Sequence, residues 1–137
     1  MAEVLIIGAG IAGITAARTI YSERPDWQIT LVDDEDRLPY KRTKISKNIS
    51  RGFDLDEFAL FPREWYAERG IRLITETRAA SVDAAGKSVS FENSKSLNWD
   101  RLILATGAAA RVPDISGYDP ERCFTIRRAS DVDSLLE

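Results

Sequence analysis

Val4-Leu5-Ile6-Ile7-Gly8-Ala9-Gly10-Ile11-Ala12-Gly13 opens the chain almost at once. Four consecutive apolar residues stopped by glycine read as a short strand buried on both faces. Behind it, apolar residues recur at Ile11, Ile14, Ala17 and Ile20-Tyr21, which predicts a helix from Ile11 to about Glu23, with Pro25 helping to end it. Gln28 to Val32 reads as a second strand, closing a strand-helix-strand unit of about thirty residues. In that context the G-x-G-x-x-G spacing of Gly8, Gly10 and Gly13 has a physical meaning for each glycine. Gly8 permits the tight turn, Gly10 lets a pyrophosphate approach the backbone, and Gly13 lets helix and strand pack closely. Ala17 keeps the same packing face small. The helix start at Ile11 and Ala12 offers unpaired N–H groups and a positive dipole end to phosphate. Asp33, twenty residues beyond Gly13, ends the second strand where a carboxylate accepts hydrogen bonds from a ribose diol. The register favours it over Asp34, and a carboxylate there disfavours the 2′-phosphate of NADP. The competing readings are a glycine turn without a ligand and a solvated strand-end acid. The glycine motif by itself does not separate FAD from NAD.

The chain has 137 residues, 44% of them hydrophobic and 30% charged, which is ordinary globular composition with room for one domain. No apolar run approaches the ~20 residues of a membrane-spanning helix. Residues 1–7 lack a basic region before the apolar stretch, so no signal peptide is expected and a cytoplasmic location is. Histidine is absent, which excludes histidine triads and histidine-ligated zinc; no metal site is expected. The single cysteine, Cys123, forms no intrachain disulfide or CxxC pair. A net charge of −3 argues against nucleic acid as the main partner. The charge is unevenly spread. Asp33-Asp34-Glu35-Asp36 is followed by Arg37, Lys41, Arg42, Lys44, Lys47 and Arg51 with no intervening acid, either a solvated face or a site for an anionic ligand.

Residues 37–52 read as a loop. Leu55 to Arg69 reads as helical at least in part, with Phe58, Phe61, Trp65 and Tyr66 as its apolar face, Gly70 as its stop and Pro62 placed to divide it. Ile71–Thr75 predicts a third strand. Ala80–Asp83 and Ser88–Phe91 alternate around a turn at Ala84-Ala85-Gly86-Lys87, and a short strand at Leu97–Trp99 extends this hairpin to a meander. Arg101–Ala105 is a further buried strand, ended by Thr106-Gly107. A last helix is expected from Ser130, whose hydroxyl would cap it. The default right-handed crossover orders the parallel sheet third, second, first, then Arg101–Ala105, with meander and first helix on opposite faces.

Three more segments carry a family likeness. Tyr40-Lys41-Arg42-Thr43-Lys44-Ile45-Ser46-Lys47 resembles the Y-x-R-P-P-L-S-K segment of ferredoxin and rubredoxin reductases. Leu60 through Ile71 is similar to a stretch of rubredoxin- and nitrite-reductase-like proteins, and Leu102–Ala108 with Arg111-Val112-Pro113 resembles the A-T-G motif that follows a β-meander. Together with the glycine motif they resemble the FAD-dependent pyridine nucleotide-disulfide oxidoreductases. The fold this implies is α/β, a Rossmann-like parallel sheet with a three-stranded antiparallel meander, here as an incomplete FAD/NAD(P)-binding fold. By position, the resemblance gives the FAD pyrophosphate to Gly8, Gly10 and Gly13 and the adenosine ribose to Asp33. It gives phosphate neutralisation to Arg42, a place beside the flavin to Lys47, and the adenine to the Ala79 backbone. Ala105-Thr106-Gly107 would close over the cofactor, with Arg111 just beyond. Thr43 and Lys44 depart from the pattern by replacing two prolines, and no cysteine lies in 40–48, which disfavours the redox-disulfide branches.

The resemblance implies residues 1–114 as the N-terminal segment of an FAD-binding domain and 115–137 as a linker toward an NAD(P)-binding domain outside this chain. The whole enzyme would pass electrons from NAD(P)H through FAD to a small redox protein or a small-molecule acceptor, without nucleic acid or membrane; no catalytic residue is assigned here. The alternatives are a stand-alone module for NAD- or ADP-like ligands and a scaffold that binds nothing. A bare sheet edge, with Leu102, Leu104, Leu135 and Leu136 exposed, would promote self-association.

Overall fold

The computed structural model describes residues 1–51 and 55–137. Strand β1 (Glu3–Ile7) leads into helix α1 (Ile11–Glu23) and strand β2 (Gln28–Val32). Two 3₁₀ turns, Arg42–Lys47 and Ile49–Arg51, occupy much of the expected loop. The predicted 55–69 helix is broken by Pro62 into α2 (Leu55–Phe58) and α3 (Arg63–Glu68). Then come β3 (Ile71–Ile74), the meander β4 (Ala79–Asp83), β5 (Ser88–Phe91) and β6 (Ser96–Asn98), and β7 (Arg101–Leu104). Helix α4 (Ala129–Leu136) follows an irregular stretch.

The parallel sheet has the predicted order β3-β2-β1-β7, with Leu5 opposite Thr30 on one side and Leu102 on the other. Beyond the exposed Glu3, strand β1 is apolar from Val4 to Ile7 because both its faces are covered there. Val4 and Ile6 pack with Ile14 and Ala17 of α1, Ile29 and Leu31 of β2, and Tyr66 of α3. Leu5 and Ile7 turn the other way, onto Val89 and Phe91 of the meander together with Val32. A third cluster joins Tyr40, Ile45 and Phe58 to Ala129 and Val132, so α4 seats on those three side chains.

Two local expectations, the Ser130 cap and an exposed Leu102, are corrected, and the expected turn at 84–87 is found with its geometry set by an acid. Helix α4 starts at Ala129, and Ser130 does not cap it. The Asp131 carboxylate instead accepts the N–H groups of Arg127 (2.6 Å) and Arg128 (2.7 Å), and a charged acceptor outcompetes a hydroxyl there. In the β4–β5 turn the left-handed residue is Lys87 (φ 50°) rather than Gly86, because Asp83 Oδ1 accepts the N–H groups of both Ala85 and Gly86 and sets the turn early. Leu102 is half-buried against the Val89–Phe91 cluster, while Leu104, Leu135 and Leu136 are exposed. Strand β7 pairs only with β1 among the described residues and forms an edge.

Leu31 is wholly buried at the centre of β2, so Leu31→Ala should destabilise the chain by about 2–5 kcal/mol. Leu104→Ala, at a position 61% exposed, should change stability little. Denaturant unfolding of both variants checks this.

Candidate functional site

The cleft is built where β1, β2 and β7 all end. Gly8 adopts φ 103° and donates its N–H to the Val32 carbonyl (2.8 Å), carrying the β1–β2 pairing one residue past the strand. A Cβ on Gly8 would overlap the carbonyl of Ala105, so the end of β7 closes directly onto this turn. A Cβ on Gly13 would overlap the carbonyl oxygen of Gly8, so α1 leans on β1 backbone to backbone. Gly10 is different. Its φ of −68° is open to any residue, and a Cβ there would meet only Arg42 Nε, at 3.9 Å. Nothing in the protein itself demands a glycine at this position. The N-terminus of α1 carries no side-chain cap, so its first N–H groups face the cleft.

A cavity of about 150 Å³ lies over this turn, floored by Gly8–Ala12 and walled by Asp33, Asp34 and Arg42 on one side and Ala105–Ala108 on the other, with Arg127 and Arg128 across the top. A smaller adjoining cavity of about 80 Å³ runs past Asp33 to Thr77, Arg78 and Ala79. The predicted residues Gly8, Gly10, Ile11, Ala12, Asp33, Arg42, Ala105, Thr106 and Gly107 therefore share one cleft, with Ala79 in its extension and Gly13 directly beneath. Lys47 and Arg111 are exposed and line neither cavity. Among the described residues there is no acid, cysteine or histidine cluster able to hold a metal ion, and no helix long and apolar enough to cross a membrane.

The four consecutive acids have four different surroundings. Asp33 is almost fully buried and its Oδ1 accepts the N–H of Asp34 (3.0 Å). Burial, and then the nearby Glu35, hold its carboxyl above the usual carboxylate range. Asp34 takes a two-pronged contact from Arg128 (3.1 and 2.9 Å). Glu35 is buried; its Oε2 accepts the Tyr40 hydroxyl (2.7 Å) and its Oε1 lies 2.6 Å from Arg42 Nη2. Asp36 pairs with Arg37 (2.8 Å).

Sequence reasoning missed Arg127 and Arg128. Arg127 Nε donates to the Ala108 carbonyl (3.0 Å), bridging α4 to the segment after β7. The available signal was electrostatic: two cations immediately before a helix are disfavoured by its dipole, so another partner must hold them.

A glycine turn opening a helix over parallel strand ends, with a carboxylate at the end of the second strand, defines the dinucleotide-binding class of α/β folds. Residues 2–137 match the pyridine nucleotide-disulphide oxidoreductase family, and the chain belongs to that family. It is 36% identical over 134 residues to the biphenyl dioxygenase system ferredoxin–NAD(+) reductase component of Paraburkholderia xenovorans, covering 98% of this chain and 33% of that protein. Mouse apoptosis-inducing factor 3 is 35% identical over 134 residues, again 98% of this chain but 22% of the relative. In structure the chain resembles NADH:rubredoxin oxidoreductase from Clostridium acetobutylicum, with a TM-score of 0.84 and 27% identity over 96% of this chain and 34% of that one. The chain thus spans a third or less of the length of these relatives.

The ionised Asp33 carboxylate is disfavoured by its surroundings, which sets a sign. A carboxyl raised on folding lowers stability fully above its folded pKa, and the penalty fades as pH falls through that value toward the unfolded ~3.9. Asp33→Asn should therefore raise the melting temperature of the ligand-free chain at pH 7, and the gain should disappear in scans taken at progressively lower pH.

Proposed function

We propose that this chain is the FAD-binding segment of an NAD(P)H-dependent flavoprotein reductase that passes electrons to a small redox protein or small-molecule acceptor. The observation that carries the reading is Gly10. Gly8 and Gly13 are required by the protein's own backbone contacts, whereas Gly10 is surrounded by open space, and a close-approaching ligand explains why no side chain stands there. FAD fits that vacancy. Its pyrophosphate would lie over the uncapped start of α1 within reach of Arg42, its ribose on Asp33, and its adenine toward Ala79. Ala105-Thr106-Gly107 would form the facing wall. Lys47 and Arg111 enter the proposed set through the resemblance alone. When bound, the flavin supplies the hydride and electron chemistry; the residues of this chain bind and orient it.

The electron route is supported by relatives whose names make them reductases of ferredoxin and rubredoxin. NAD(P)H and the acceptor would be handled largely outside this third of the protein. On this reading residues 1–114 belong to the FAD domain, 115–137 lead toward an NAD(P)-binding domain, and the protein works in the cytoplasm. The open edge of β7, with Leu104 beside it and Leu135 and Leu136 exposed on α4, favours self-association of the isolated chain.

Gly10→Val tests the site without disturbing the fold. The purified parent chain should show flavin absorbance after incubation with FAD and desalting. The variant should keep the parent's circular dichroism and melting temperature yet lose flavin by about tenfold or more, because a side chain fills the phosphate's place. Undiminished flavin in a folded variant, or a parent that takes up no flavin, overturns the proposal.

A further inference from the structure

Three successive residues before and at the start of α4 bond three different segments, two of them walls of the cleft and the third Tyr40 behind Arg42. Arg127 donates to the Ala108 carbonyl beyond β7, Arg128 grips Asp34 beyond β2, and the Ala129 N–H donates to the Tyr40 hydroxyl (2.9 Å). That hydroxyl is saturated. It also donates to Glu35 Oε2 at 2.7 Å and accepts from Arg42 Nη1 at 3.2 Å, which uses its one donor and both acceptor positions. Arg42 in turn lies 2.6 Å from Glu35 Oε1, an atom with no hydrogen-bond partner among the described residues, so this contact is ionic. The guanidinium is therefore fixed from two sides at the wall of the cleft, with its Nε toward Gly10.

We propose that Tyr40 and Glu35 are positioning residues, which hold Arg42 over the glycine turn and hang the first turn of α4 on the same hydroxyl, so that pyrophosphate binding and seating of α4 share one hydrogen-bond network. The proposal rests on the reading of the cleft as a pyrophosphate site. Three features argue against a merely structural role. Glu35 is a buried carboxylate, expensive to desolvate, in a place where apolar side chains would pack with Tyr40 at lower cost. Among the described side chains of the 37–51 run, its cation is the basic one that lines the cleft. The apolar cluster of Ile45, Phe58, Ala129 and Val132 already seats α4, so the hydroxyl is not needed for packing alone. An arginine held flat by two partners loses less freedom when it pairs with phosphate, which is how pre-organisation becomes affinity.

ADP is the probe, because it carries the pyrophosphate and ribose without the flavin. Its affinity is measured by calorimetry for the parent chain, Tyr40→Phe, Arg42→Gln and the double variant. Each single change should weaken ADP about tenfold, and the double variant should lose no more than Arg42→Gln alone, since Tyr40 acts through Arg42. Losses that simply add, or full ADP affinity in Tyr40→Phe, overturn the proposal. Amide hydrogen exchange on the parent chain gives a second measurement that does not depend on a variant folding: saturating ADP should slow exchange at Ala129–Val132, and unchanged exchange there overturns the coupling. A parent chain that binds ADP but not FAD overturns the flavin reading and leaves this one standing. Binding of neither overturns both.

Discussion

The backbone contact between Gly13 and the carbonyl of Gly8 is the constraint on which the rest of the molecule depends. Any side chain at Gly13 would push α1 off β1, and with it the buried contacts of Ile14 and Ala17 against Val4 and Ile6. The second backbone contact, Gly8 beneath the Ala105 carbonyl, closes the other flank by bringing the end of β7 onto the same turn. Because β1, β2 and β7 run parallel, their last residues gather at one edge of the sheet. The uncapped end of α1, Asp33 and Thr106 are therefore neighbours as a consequence of topology, and the cleft is the place where that topology leaves backbone N–H groups without partners.

Around this edge the chain gathers charges that a purely structural design would leave in water. Asp33 is buried with only a backbone N–H to accept, which makes its carboxylate unfavourable in the ligand-free protein. Glu35 is buried too, but with a tyrosine hydroxyl and an arginine to hold it. The difference is instructive. Glu35 is held by Tyr40 and Arg42 and organises its surroundings, whereas Asp33 lines the cavity with only the Asp34 N–H to accept among the described residues. On the proposed reading, the first belongs to the framework of the site and the second to its ribose contact. Stability given up at Asp33 is the expected trace of a binding function.

Much of this was legible beforehand because it depends on local chemistry. A four-residue apolar run cannot be a half-exposed strand, so Val4–Ile7 had to be covered on both faces, and the meander and α1 cover it. Pro62 and Gly70 bound α3 for backbone reasons that any context respects. The errors fell where a neighbouring carboxylate or a docked element supplies the deciding partner. Ser130 is a good cap in isolation, but Asp131 reaches back to two amides at once. The turn at 84–87 was legible, but that Lys87 is its left-handed residue follows from the Asp83 carboxylate holding the Gly86 N–H. Leu102, judged bare from its place on an edge strand, meets Val89 and Phe91 from a meander whose docking the sequence did not locate in detail.

The sequence by itself determined the strand-helix-strand unit, the glycine turn and the order of the sheet, because periodicity, glycine sterics and crossover handedness act over a few residues or through general chirality. It singled out Asp33 by register, but it named no partner for Asp34, Glu35 or Asp36, which differ by one methylene at most and follow one another without interruption. Only the tertiary structure assigned those three, to Arg128, to Tyr40 with Arg42, and to Arg37. Arg128 lies 94 residues from Asp34, and Ala129 lies 89 from Tyr40. No local signal encodes such a pairing, because the energy of an ion pair or a buried hydrogen bond depends on where packing places the partner and how much water it excludes.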